Sequence, residues 1–140
     1  MKRQVILDTG PLVAYLNSRD KYHEWALLQW AAIEPPLLTC EPVLSEACFL
    51  LGGIEGGQTA IMELVRRRIV HIPFRLIDHV NEISMLLDKY SDLPMSLADG
   101  CLVRMAELYP EGTILTLDED FVVYRKNKTR IIPTLIPPRP

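Results

Sequence analysis

The chain has 140 residues, of which 49% are hydrophobic and 24% charged, with a net charge of −3. That is one ordinary domain with enough apolar residues for a core, so a disordered chain is excluded as its description, and its slight acidity argues against a general polyanion trap. The three cysteines, Cys40, Cys48 and Cys101, form no C-x-x-C pair and read as small buried hydrophobes of a reducing compartment.

In chain order, Met-Lys-Arg-Gln is followed by only Val5, Ile6 and Leu7 before Asp8. That run is too short for a secretory leader, and no later stretch could span a bilayer, so a cytoplasmic protein without membrane contact is expected. Gln4–Leu7 predicts a short buried strand. Thr9–Asn17 predicts a helix with Pro11 tolerated in its first turn, and Asp20 can cap a second helix over Lys21–Ile33. Glu34-Pro35-Pro36 stops it, and Leu37–Thr39 is a second strand. Glu41–Leu51 is a third helix, ended by Gly52-Gly53, and Thr59–Arg68 a fourth. Ile69–Ile72 is a third strand closed by Pro73, followed by helices over Arg75–Tyr90 and Ser96–Leu108. Thr113–Leu117 is a fourth strand, Phe121–Tyr124 is too short to assign, and Arg130–Ile132 is a candidate last edge strand.

The ending "IIPTLIPPRP" holds too many prolines for a central strand and reads as a surface strap or frayed end. Residues 1–132 are therefore expected to form the domain and 133–140 a proline-rich tail. Short strands alternating with helices predict a parallel sheet covered on both faces, with ligands beyond the carboxyl ends of the strands.

Four acids fall at such ends or nearby. Asp8 follows the first strand, Asp118 the fourth, Asp99 opens a helix, and Glu46 sits at the border of an apolar helix face. Each has an ordinary alternative. Asp8 could cap a helix, Glu46 could reach solvent, and Asp118 could be a loop acid with Asp120 as its competitor. Ser96-x-x-Asp99 resembles a capping box. Together, converging carboxylates must protonate or share a cation, and Mg²⁺ or Mn²⁺ prefers such oxygen ligands. No Ser-His-Asp, Cys-His, H-E-x-x-H or phosphate-loop pattern competes. A receiver-type phosphate module would need an acid after the third strand, where "HIPFRL" has none.

"ILDTGPLVAYL", "LSEACFLL", "YSDLPMSLADGCLVRMAE" and "ILTLDEDF", in this order, resemble the PIN domain, most closely the VapC-type ribonucleases of toxin–antitoxin pairs and their stand-alone relatives. The resemblance implies a three-layer α/β/α sandwich with a short central parallel sheet. It implies a Mg²⁺- or Mn²⁺-dependent endoribonuclease with Asp8, Glu46, Asp99 and Asp118 as its carboxylates. Asp8 and Asp99 would bind metal directly, with Asp118 and Glu46 completing the cluster. Thr9, Thr116 and Asp92 would support it. Relatives usually form homodimers, and a toxin would have an antitoxin protein as partner. A catalytically silent fold that binds RNA or protein is the alternative. Gly100 stands where relatives commonly have alanine. Setting the four acids aside leaves fewer acids than the 15 Lys and Arg, so basic clusters become candidate phosphate contacts. These are Arg66-Arg67-Arg68 and, just after Asp118, Arg125, Lys126, Lys128 and Arg130.

Overall fold

A computed structural model describes residues 4–138; residues 1–3 of the expected domain and Arg139-Pro140 of the expected tail lie outside it. The apolar run of Gln4–Leu7 forms β1, its last three residues buried. Around it stand β2 (Leu37–Leu38), β3 (Val70–His71), β4 (Gly112–Leu115) and a strand at Thr134–Leu135, in the order β3-β2-β1-β4 and then that strand. Every pairing in this sheet is parallel, with Ile6 opposite Leu38 on one side and Ile114 on the other. The strands are short apolar runs because both faces are covered.

The helices are α1 (Thr9–Leu16), α2 (His23–Ala32), α3 (Glu41–Leu50), α4 (Gly57–Arg66), α5 (Val80–Lys89), α6 (Leu97–Leu108) and α7 (Asp120–Val123). α1 packs on α2 and α3, α3 on α4 and α6, and α5 on α6. The result is a parallel five-stranded sheet flanked by helices, the α/β/α architecture that the alternation of elements predicts. Among the described residues no helix is long and apolar enough to cross a membrane. Cys40 and Cys101 are buried and Cys48 half-buried, all three with free thiols.

Several boundaries differ from the sequence reading. Asp20 accepts from the Tyr22 amide at 2.8 Å, so it closes a turn, and α2 starts only at His23. The first part of the Arg75–Tyr90 stretch is a 3-10 turn at Leu76–His79. The largest difference is at the end of the chain. Arg130–Ile131 is not an edge of the main sheet but pairs antiparallel with Arg125–Lys126 as a separate hairpin, β5 with β6. The hairpin tip carries Asn127 and Lys128 with positive φ, 48° and 71°. The edge strand is instead Thr134–Leu135, β7, within the stretch read as a strap. Pro133 is compatible because its carbonyl, not its missing N–H, serves the ladder, accepting from the Ile114 amide at 2.9 Å.

Candidate active site

Asp8 follows β1 directly, at the carboxyl edge of the sheet, and is only 7% exposed. It is the N-cap of α1, with its Oδ1 accepting from the Thr9 amide at 2.7 Å. Its Oδ2 accepts from the Thr116 hydroxyl at 2.7 Å. Thr116 directly follows the neighbouring strand, β4, and is fully buried. Its oxygen also accepts from the Asp118 amide at 2.9 Å, so one hydroxyl ties two acids to the same strand end. Asp118 in turn accepts from the Asp120 amide at 2.8 Å, which opens α7.

Asp99 sits in the first turn of α6. Its amide donates to Ser96 Oγ at 3.0 Å, and its Oδ2 accepts from the Ser96 amide at 3.2 Å. The capping box is therefore real, and it holds the carboxylate in place for a second task. Glu46 projects from the exposed side of α3, and its Oε2 accepts from the Thr9 hydroxyl at 3.0 Å. These four acids line one cleft of about 290 Å³. Leu50 and Leu117 form apolar parts of its wall, and none of its described lining residues is basic. Gly10 is there because a Cβ would meet the Leu117 side chain at 3.0 Å.

The electrostatics follow from this crowding. Burial pushes the Asp8 carboxyl up to about 6, despite the Thr116 and Thr9 hydrogen bonds that favour its anion. The charges of Asp99 and Asp118 push it the same way. Asp99 is raised as well, by burial first and by Asp118 after that. Among the described residues, no three His, Cys, Asp or Glu side chains stand close enough to close around a metal ion. The acids share a cleft rather than a finished cage.

Residues 5–127 match the PIN domain family. The chain belongs to that family. Among solved structures, the fold is similar to VapC20 of Mycobacterium tuberculosis, described as a sarcin-ricin loop cleaving toxin, with a TM-score of 0.75 and 21% identity. The match covers 91% of this chain and 99% of that one. No curated protein matches the sequence significantly.

Within this PIN domain, Asp8, Thr9, Glu46, Asp99, Thr116 and Asp118 come together, and other expected residues do not. Asp92 is exposed in the 91–94 turn and does not line the cleft. Lys126 is buried, with its ammonium donating to the Pro110 carbonyl at 3.3 Å and facing the Ala106 carbonyl at 3.5 Å, so it caps the end of α6. Arg125 spends its Nη1 on the Val122, Val123 and Tyr124 carbonyls at the end of α7. Lys128 and Arg130 are exposed, but the hairpin has carried them away from the acids. Its tip meets α6 at Glu107, eight residues beyond Asp99 and hence about 12 Å along the helix. Arg66, Arg67 and Arg68 are exposed ahead of β3, at the amino edge of the sheet and so opposite the cleft. Sequence reasoning also missed Tyr124, buried, whose hydroxyl donates to Asp99 Oδ2 at 3.3 Å. Burial raises its phenol far above the ordinary value, which keeps it a donor. No local pattern signals that contact.

Proposed function

We propose that this PIN domain is a divalent-metal-dependent endoribonuclease that hydrolyses RNA phosphodiesters at the acid cleft. The observation that carries the reading is the convergence of Asp8, Glu46, Asp99 and Asp118 with no basic residue among the described lining. Buried like charges without a counter-charge are costly, and Asp8 at about 6 records that cost.

The donor set fits Mg²⁺ or Mn²⁺. All donors are oxygens, which suits these hard ions. Each Asp8 oxygen uses one lone pair internally and keeps another. Magnesium usually keeps several waters and takes one or two carboxylates. Asp8 and Asp99 would hold the ion directly, with Asp118 reaching it through bound water. When bound, it would activate water and stabilise charge on the phosphoryl group. The protein's own groups orient these acids: Thr116 fixes Asp8 and Asp118, the Ser96 box and Tyr124 fix Asp99, and Thr9 fixes Glu46. Glu46, the most open of the four, is the acid best able to accept a proton from water entering the cleft.

RNA as substrate is supported by the family and by the description of VapC20. A cytoplasmic setting, a homodimer and an antitoxin protein belong to the same reading. The test is cleavage of a mixed RNA pool with Mg²⁺, Mn²⁺ or EDTA, beside Asp99→Asn purified identically. The variant amide still accepts from Ser96, so the fold is kept while activity falls by about 100-fold or more. Equal cleavage by both proteins would mark a contaminant. No cleavage together with no Mn²⁺ binding would sink the catalytic reading and leave a silent binding fold.

A further inference from the structure

Phe49 is the most exposed of the large hydrophobic residues described, at 83%. A phenylalanine left in water forgoes the stabilisation that burial would give. It lies three residues after Glu46 on α3, so both side chains share one face of the helix. Ser45, Glu46, Phe49 and Leu50 line a shallow hollow of about 450 Å³. Glu46 and Leu50 also line the acid cleft, so the two spaces adjoin.

We infer that Phe49 is a stacking platform for an unpaired base next to the phosphodiester held at the acid cleft. The inference rests on the ribonuclease reading and narrows its substrate to single-stranded or looped RNA. A backbone phosphate entering this cleft meets carboxylates and no described basic side chain, so beyond the ion itself no lining side chain grips the strand by charge. A base can, because its π-face stacks on an aromatic ring without regard to sequence. Side chains three apart on a helix have Cβ atoms about 5–6 Å apart, comparable with the span from a nucleotide's phosphate to its base. A paired base has its faces covered and cannot reach the ring, which is why the substrate must be unstacked there. Leu50, 57% exposed, extends the apolar floor between ring and acids.

The test uses short mixed-sequence RNA oligonucleotides carrying 2-aminopurine at successive positions, bound in the Asp99→Asn background so that they stay intact. One position should lose fluorescence on binding, the signature of stacking. Phe49→Leu and Phe49→Ala should abolish that quench and raise Kd about 10-fold, within the ~1–3 kcal/mol range for stacking on an aromatic. Phe49→Trp should keep both. In the active protein the same leucine variant should raise KM and leave kcat near wild type. Because Phe49 is exposed, these variants should fold as the parent does. Quenching that survives in Phe49→Leu, equal Kd for the two proteins, or no oligonucleotide binding at all would overturn the inference and mark the ring as a protein-docking surface. Cleavage that depends on Asp99 but not on Phe49 would leave the ribonuclease reading intact and remove this one. Phe49-dependent stacking without cleavage by the parent protein would do the reverse.

Discussion

Helix α6 carries an acid near each end, and the two are treated oppositely. Near the carboxyl end, Glu107 pairs with Arg104 at 3.1 Å and accepts from the Asn127 amide at 2.6 Å. Arg104 also donates to His79 at 3.1 Å. Lys89 closes the same corner by donating to the Lys128 carbonyl at 2.8 Å. Glu107, Arg104 and Lys89 each have a nearby partner there, which is what a structural acid needs. At the amino end, Asp99 has neutral donors only, Ser96 and Tyr124, and it shares a cleft with three more acids. The contrast teaches that acidity is not the signal of function. An acid that is half-buried, hydrogen-bonded by neutral groups and set among like charges is the informative one.

The comparison can be broken at either end. The largest effect expected is on stability against pH. Folded Asp8 keeps its proton up to about pH 6, while the unfolded chain loses it near the model-compound value of 3.8. A raised carboxyl stabilises the fold fully below the unfolded value, and that contribution is lost as pH rises through 6. Asp8→Asn should therefore gain on wild type by up to about 3 kcal/mol between acid and neutral pH in EDTA, read from urea unfolding. Parallel pH profiles for the two proteins would show that the cleft is not charged as described. Next in size is Thr116→Val, which keeps the shape and removes the hydroxyl shared by Asp8 and Asp118. Cleavage should fall about 10–100-fold, with Mn²⁺ binding weakened in step; unaltered metal affinity would contradict the role given to Thr116.

At the other end, Glu107→Ala leaves Arg104 Nη1 and the Asn127 amide without their acceptor, with only His79 left to Arg104. The protein should lose about 2 kcal/mol of stability by urea titration and keep its cleavage rate. A cleavage defect in a variant of normal stability would mean that the structural corner reports to the active cleft. The smallest effect is expected at Gly100. A Cβ there would meet Ile83 and Leu87 at 3.4 and 3.5 Å, ordinary contact distances against α5. Gly100→Ala should raise stability by up to about 1 kcal/mol, seen as a higher thermal midpoint at unchanged cleavage.

The parts legible from sequence were those set by short-range physics. The apolar run before Asp8, the Ser96–Asp99 box and the strand before Asp118 each announce an element and its boundary. Their alternation implied parallel pairing, and parallel pairing carries strand ends to one rim. What stayed hidden depends on a turn without a turn signature. Asn127-Lys128 adopts positive φ with no glycine, and that turn folds the basic segment back along α6. Lys126 consequently serves carbonyls at the end of α6. Tyr124 lay hidden for a related reason, since its use of Asp99 is a contact across the fold between residues 25 apart.

Both outer strands of the sheet, β3 and β7, are two residues long. Pro73 follows the first closely, and Pro133, Pro137 and Pro138 flank the second. A free strand edge is a template on which a second chain can add, the first step toward insoluble assemblies. Here each edge offers a ladder only two residues long, beside prolines that have no N–H to extend it. The brevity of these strands thus leaves a second sheet little ladder to add to at either edge of the main sheet.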